Sequence, residues 1–309
     1  MKQPAITVLL SVFNGRRYVR QAVESILAQT FEHFEFLIID DGSTEPISEL
    51  INSYRDPRIN LVRQNNRGLA CSLNRGIEEA TGEFIARMDA DDVSAPNRLG
   101  LQYEAISRNK NLDLIGSFFR EINDRGEVVE EKQVLIDEDY RLWRLQFHNN
   151  YAHGSIMFRK SAVVAAGLYN EQLRLAQDYD LWSRICRQGN SCVIPECLYS
   201  HRIRTDGQQA SVRNYEAQAQ TAARISNRNL TACNPDLTEE QCRMVRALYW
   251  EFEGKTFTDD IHEDFWQTFD GFCNRFGLTG ESESALRDKV CQDYMTTVTP
   301  LGSAGRSGV

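Results

Sequence analysis

Residues 84–96 read FIARMDADDVSAP, an apolar run that stops at Asp89, Asp91 and Asp92. Like charges this close cost stability unless something positive lies between them. On an extended chain, residues i and i+2 face the same side, so Asp89 and Asp91 point together. That pair suits a hard divalent cation: Mg²⁺ takes one or two carboxylates and completes its shell with substrate phosphates. Asp92 or Ser94 reads as a cap for a helix with Pro96 in its first turn. A second acidic stop, Asp40-Asp41-Gly42-Ser43, ends the apolar run Phe34–Ile39. It fits a strand-to-turn signal, and it equally fits a carboxylate that accepts an N–H of a nucleobase. Other phosphate and metal devices are excluded. SVFNGRR has one glycine where a dinucleotide fingerprint needs three, and no GxxxxGK[ST] occurs. Val93 and Ser94 stand where an EF-hand needs a ligand and a glycine. The 8 cysteines include no CxxC pair, which argues against a zinc knuckle.

The elements that must position these carboxylates alternate. Apolar β-rich runs at Ile6–Val12, Phe34–Ile39, Ile59–Val62 and Phe84–Met88 are separated by helical spacing at 18–27, 46–54 and 68–80. This pattern predicts an α/β fold with a mostly parallel sheet and helices on both faces. Ligands of such sheets bind beyond the carboxyl ends of the strands. Ser11 with Asn14, Asp40 with Asp41, and Asp89 to Asp92 would converge on one rim. After Pro96 we expect a helix over 97–108, a strand over 112–117 and a hairpin over 119–134 turning at Asp124-Arg125-Gly126. A helix over 137–145, a strand over 154–159 and a helix over 178–187 follow. From Val212 the pattern is helical, and Tyr249, Trp250, Phe252, Phe265, Trp266, Phe269 and Phe272 supply a core. The expected organisation is a first domain over 1–211, a helical C-terminal region over 212–295, and a disordered tail over 296–309.

The chain has 309 residues, 41% hydrophobic and 26% charged, as in a soluble globular protein. Its formal net charge of -9 argues against general nucleic-acid binding, which depends on Lys and Arg releasing counterions. No apolar run reaches the roughly 20 residues that span a bilayer. ITVLLSV is short and leads into Asn14-Gly15 rather than a cleavage site, so it does not read as a signal peptide. The expected setting is cytoplasmic, with reduced thiols, at most at the inner face of a membrane. The sequon Asn229-Leu230-Thr231 is then a pattern without consequence.

In order, LLSVFNG, SILAQTFEHFEFLIIDDGST, NRGLACSLNRGIEEATGEFIARMDADDVSAPNRL, HGSIMFRKSAVVAAGLYNE, AQDYDLWSRI and LYSHRIRTDGQQAS resemble the family 2 glycosyltransferases, inverting enzymes of the GT-A fold. The resemblance runs from about residue 4 to 211. It implies that Ser11 and Asn14 line the nucleotide pocket, that Asp41 reads the uracil edge, and that Arg67 lies beside the base. It makes Asp89-Ala90-Asp91 the DxD motif that holds Mg²⁺ or Mn²⁺ against the donor diphosphate, with Asp91 the direct ligand and Asp89 on metal or ribose. Asp178 matches the catalytic base. Gln177 departs from the family's usual Glu at that place. His201-Arg202-Ile203-Arg204 stands where many relatives write Tyr-Arg-x-His. Arg202 keeps its place, but Arg204 replaces the histidine, and an arginine can contact phosphate without ligating metal.

The implied activity is transfer of a sugar from a UDP-sugar to a saccharide or lipid-linked acceptor. The expected partners also include peripheral membrane contact or a second copy of the chain. Two rival classes are a sugar nucleotidyltransferase and a non-catalytic sugar-nucleotide or glycan-binding protein. The first expects a glycine-rich basic loop after the first strand, which SVFNGRRYV lacks. The second has no use for Asp178 beside Asp89 and Asp91.

Overall fold

The computed structural model describes residues 3–187, 189–204, 214–250 and 259–298. The first half alternates as the apolar spacing predicts. Strands β1 (Ile6–Val12), β2 (Phe34–Asp40), β3 (Ile59–Arg63) and β4 (Phe84–Asp89) are joined through helices α1 (Val19–Leu27), α2 (Ser48–Ser53) and α3 (Leu69–Glu79). All pairings among these four strands are parallel, with β1 between β2 and β4. Every residue of β1 is buried, which explains why its sequence is a continuous apolar run. Helix α1 buries Val19, Ala22, Val23 and Ile26 against this core, each stabilising by about 1.5–3 kcal/mol except the smaller alanine.

Beyond β4 come β5 (Val93–Ser94), α4 (Arg98–Arg108), β6 (Leu112–Ile122), β7 (Val128–Lys132), α5 (Glu138–Leu145), a 3-10 turn at His153–Ser155, β8 (Met157–Arg159), α6 (Lys160–Ala165), α7 (Gln177–Ile185) and β9 (Asn190–Arg202). Among the described residues the sheet runs β3-β2-β1-β4-β8-β6-β9-β5, with β7 paired to β6. Strand β8 is antiparallel to β4 and β6, and β5 is antiparallel to β9.

Three expectations change here. The strand expected over 112–117 continues through Ile122 and forms the hairpin with β7 itself; Gly126, at φ +84°, closes the turn. Ser94 and Asp92 cap no helix. Ser94 belongs to β5, and the amide of Leu99 in the first turn of α4 donates instead to Gln29 Oε1 from beyond α1. Strand β9, 13 residues long, lies outside the expected elements. Its pairing with β6 shifts register three times, between Leu112 and Leu114 and on either side of Phe118, so its apolar residues keep no simple period.

The chain divides into two compact units: residues 1–138 with 149–221, and residues 139–148 with 222–309. The division falls inside α8 (Tyr215–Cys233), ten residues beyond the expected boundary at 211, and it assigns a short internal stretch to the second unit. That unit contains α9 (Glu239–Trp250), α10 (Asp259–Phe276) and α11 (Glu281–Val298). Its core is aromatic, as expected for Phe265, Phe269 and Phe272, but the hub is Trp143 from α5. The Trp143 ring meets Phe147, Phe265, Phe269 and Phe272 edge-on, with centroids 5.0–5.7 Å apart. Phe147 in turn stacks on Tyr249 at 4.1 Å. Phe252 lies outside the described residues. Residues 296–298 of the expected tail are helical, and 299–309 lie outside the described residues. All 8 cysteines are free thiols. Among the described residues, no helix is long and apolar enough to cross a membrane.

Candidate active site

The parallel register places Ser11 of β1 opposite Asp89 of β4, and Val12 opposite Asp40 of β2. The three polar strand ends therefore meet on one rim.

At the end of β4, three carboxylates have three different environments. Asp89 accepts from Arg87 Nη2 at 2.5 Å. Burial opposes its ionisation, but the Arg87 charge and its hydrogen bond hold the Asp89 carboxyl below the usual range. Among the described residues Asp91 makes no ion pair of that kind; burial and the Asp89 charge raise it, against a partial offset from His201 and Arg204. Asp92 is buried, accepting from Tyr199 Oη at 2.7 Å and from the Arg202 amide at 2.7 Å. Burial, with Asp89 and Asp91 adding to it, raises Asp92 to about 7.

The support beneath is cationic. Arg87 and Arg98 are fully buried side chains, and Arg98 Nη2 donates to the carbonyl of Arg87 at 2.9 Å. Burial, reinforced by the Arg87 charge, lowers Arg98 to about 10. Tyr199 Oη also accepts the Asp89 amide at 3.1 Å. The residue that makes room is Gly154: a Cβ there would lie 1.9 Å from Tyr199 Oη. The sequence reading missed Arg87 and Tyr199. A charged residue inside the apolar run FIARM, two before Asp89 and so on its side of the strand, was the available signal.

These residues fit a divalent cation. Asp89 and Asp91 are hard oxygen donors, and the charge crowding at Asp91, only partly offset, is what a cation would relieve. Among the described residues, no group of three His, Cys, Asp or Glu could hold a metal. Asp89 and Asp91 are the carboxylates that would hold a cation here, with phosphate and water completing its shell.

Asp178 lies in the first turn of α7, where backbone N–H groups favour a carboxylate. Asn149 Nδ2 donates to its Oδ2 at 2.7 Å. Burial nevertheless raises the Asp178 carboxyl; the backbone amides of Tyr179 and Asp178 and the Asn149 side chain oppose this, and Asp89 adds to it. Asp178 and Asp89 line one cavity of about 420 Å³ together with Glu121, Asn149, His153 and His201. His153 is held by Tyr169 Oη at 2.9 Å, and burial with the Arg87 charge pushes it down to about 3, so it is neutral.

The Asp41 region is built differently. Asp41 Oδ1 accepts from Gln64 Nε2 at 2.7 Å and the Arg67 amide at 2.9 Å, and its Oδ2 accepts from the Gly68 amide at 2.8 Å. Gly42, at φ +79°, has room for no side chain: a Cβ would lie 2.7 Å from the amide nitrogen of Asn66. Asp40 Oδ1 accepts the Ser43 amide at 2.9 Å, as a turn carboxylate does. Asn14, at φ 54°, ties the end of β1 to this loop by accepting from the Thr44 amide at 2.9 Å. Arg67 is exposed and lines a separate cavity of about 490 Å³ with Cys71, Glu171 and Arg174.

Arg202 is placed otherwise than as a donor contact. It is 1% exposed, and its Nε, Nη1 and Nη2 each donate at 2.7 Å, to Asp91 O, Asn123 O and Gln21 Oε1. Its guanidinium lies over the Tyr18 ring, 4.5 Å from the centroid. Arg202 therefore pins the turn that carries Asp91, while Arg204 is the arginine whose charge acts on the Asp91 carboxylate.

Solved structures share this architecture. Staphylococcus aureus TarS 1-349 in complex with UDP-GlcNAc superposes with a TM-score of 0.62 over 94% of this chain and 90% of that one, at 16% identity. The mannosyltransferase PcManGT from Pyrobaculum calidifontis, in complex with GDP-Man and Mn²⁺, gives 0.54 over 94% and 81%, at 13% identity. The fold is that of the GT-A glycosyltransferases. In sequence, the O-antigen biosynthesis glycosyltransferase WbnJ of Escherichia coli is 32% identical over 219 residues, 68% of this chain and 84% of WbnJ. Residues 7–164 match the model of glycosyl transferase family 2, and the chain belongs to that family.

Proposed function

We propose that this glycosyltransferase moves a sugar from a nucleotide-diphosphate donor, a UDP-sugar, to a hydroxyl of a saccharide or lipid-linked acceptor, with inversion, in the assembly of a polysaccharide or glycoconjugate. The observation that carries the reading is the single cavity shared by Asp89 and Asp178. One carboxylate belongs to the strand end that receives the donor diphosphate. The other has the raised affinity for protons that a general base needs.

The nucleobase lies against the Asp41 loop. Three of the roughly four lone-pair sites of the Asp41 carboxylate are engaged within that loop, leaving a site on Oδ2 for a base N–H. Ser11 and Asn14 border this nucleotide pocket, while Arg67, whose side chain lines the separate cavity, adds its backbone amide to the Asp41 carboxylate. Bound Mg²⁺ or Mn²⁺ at Asp91 and Asp89 would neutralise the negative charge that develops on the leaving diphosphate. Asp178 accepts the proton of the acceptor hydroxyl as that oxygen attacks the anomeric carbon. The bond from that carbon to the phosphate oxygen breaks, and its electron pair leaves with the diphosphate. Attack opposite the leaving group in one step inverts the anomeric centre. Arg204 supplies further positive charge near the diphosphate. The PcManGT complex with GDP-Man and Mn²⁺ and the TarS complex with UDP-GlcNAc support a nucleotide-sugar donor of this class.

Asp178→Asn tests the reading, because it keeps the shape and removes the proton acceptor. Transfer should fall by about 10²–10⁴-fold while UDP still binds. A variant that transfers at the normal rate would remove Asp178 from the mechanism. The assay is nucleoside diphosphate release from a panel of sugar nucleotides, beside UDP calorimetry.

A further inference from the structure

Between α5 and the 3-10 turn, Asn149 bridges the scaffold and Asp178. Its Oδ1 accepts the Tyr151 amide at 3.1 Å, which fixes the orientation of the side-chain amide and leaves Nδ2 to donate to Asp178 Oδ2. Tyr151 is itself immobilised. It is buried, its Oη donates to the buried Ser191 Oγ at 3.0 Å on β9, and its ring covers Gly116 on β6, where a Cβ would lie 3.1 Å from Cδ1. A continuous path therefore runs from two strands through Tyr151 and Asn149 to one oxygen of Asp178.

We propose that Asn149 is a positioning residue for the acceptor side of the reaction: its amide fixes the rotation of the Asp178 carboxyl group and favours its ionised form. The inference rests on the reading of Asp178 as general base. Two N–H groups of α7 hold the carboxylate from the helix, and among the described residues Asn149 donates to it from outside that helix. Among the described residues, the other titratable groups lining the cavity are Asp89, Glu121, Tyr151, His153, Tyr199 and His201. Tyr169 also lies within electrostatic reach of Asp178. On the same helix, Asp180 is paired with Arg184 at 2.8 Å. Of these, Asp89 acts against ionisation of Asp178. The Asn149 donor thus counters both burial and a neighbouring negative charge.

The sign of its loss follows. Without the donor the ionised form of Asp178 is less favoured, its pKa rises, and the base becomes competent only at higher pH. The experiment measures kcat/KM against pH for the unmodified protein, Asn149→Ala and Asn149→Asp. The readout is nucleoside diphosphate released from UDP-GlcNAc, UDP-glucose or GDP-mannose with water as acceptor. Asn149→Asp keeps an acceptor for the Tyr151 amide but cannot donate when ionised, so it separates positioning from folding and decides the question if Asn149→Ala does not fold.

We expect the acidic limb to move to higher pH by about one unit in Asn149→Ala and further in Asn149→Asp, which adds a negative charge. Donor KM should stay unchanged, and the rate should recover above the limb. An unmoved limb in a folded Asn149 variant, with Asp178→Asn inactive, overturns the role of Asn149 and leaves the base assignment intact. Normal release by Asp178→Asn overturns both.

Discussion

Strands β2 and β4 flank β1, and both end in crowded carboxylates. At the end of β2, Asp40 and Asp41 accept the amides of Ser43, Arg67 and Gly68 and the side chain of Gln64. At the end of β4, Arg87 compensates Asp89, but Asp91 faces its neighbours with a raised pKa, and Asp92 is raised to about 7. The same residue type at equivalent strand ends thus stands in two environments. A carboxylate supplied with backbone N–H groups organises a loop. One left among like charges retains a deficit of positive charge that an incoming cation can relieve.

The contrast is tested most severely at Asp91. Asp91→Asn should reduce turnover by roughly 10²-fold or more and bring UDP affinity in Mg²⁺ or Mn²⁺ down to its metal-free value. Calorimetry with and without the ion measures this, and equal UDP affinities in the unmodified protein would end the cation assignment. The same substitution should leave stability unchanged or slightly higher, because it removes one of three crowded charges.

Asp41→Ala should behave in the opposite manner. It removes the acceptor for three half-buried donors of the loop, from Gln64, Arg67 and Gly68, and should cost about 1–3 kcal/mol in urea unfolding. If both substitutions destabilise equally, the two strand ends do not differ as described.

The smallest effect is expected at Arg204. Arg204→Ala should raise the donor KM by about tenfold or less, through one lost charge-assisted contact, with little change in melting temperature. Unchanged kinetics would remove Arg204 from the donor site; its guanidinium carbon lies 5.8 Å from the centroid of the Tyr18 ring.

What the sequence disclosed followed the range of the interactions involved. Strands β1 to β4 were legible because each is a local apolar run between turn residues, and the position of Asp89 and Asp91 at a strand end follows from that run. The fate of Asp41 was not legible. Its donors come from residues 64–68, so the same four letters, DDGS, describe a turn carboxylate or an open acceptor until the loop is in place. Arg202 was hidden for a similar reason: the basic stretch His201-Arg202-Ile203-Arg204 does not reveal that Gln21, Asn123 and Asp91 converge on one guanidinium. Strand β9 was obscured by the three register shifts in its pairing with β6. Asn149 carries no motif, and only its two hydrogen bonds single it out.

The Trp143 cluster bears on how this chain can be taken apart. Residues 139–148 lie inside the stretch that matches the family, yet they fold with the helices after 222. A cut after Thr221 would look like a clean domain boundary along the sequence. It would instead remove Phe265, Phe269 and Phe272 from around the Trp143 indole and Tyr249 from the face of Phe147. The shortened product would expose a greasy, ring-lined surface and favour aggregation. Grafting a different C-terminal half onto this transferase therefore means exchanging ten internal residues as well, and a workable chimera has three junctions rather than one.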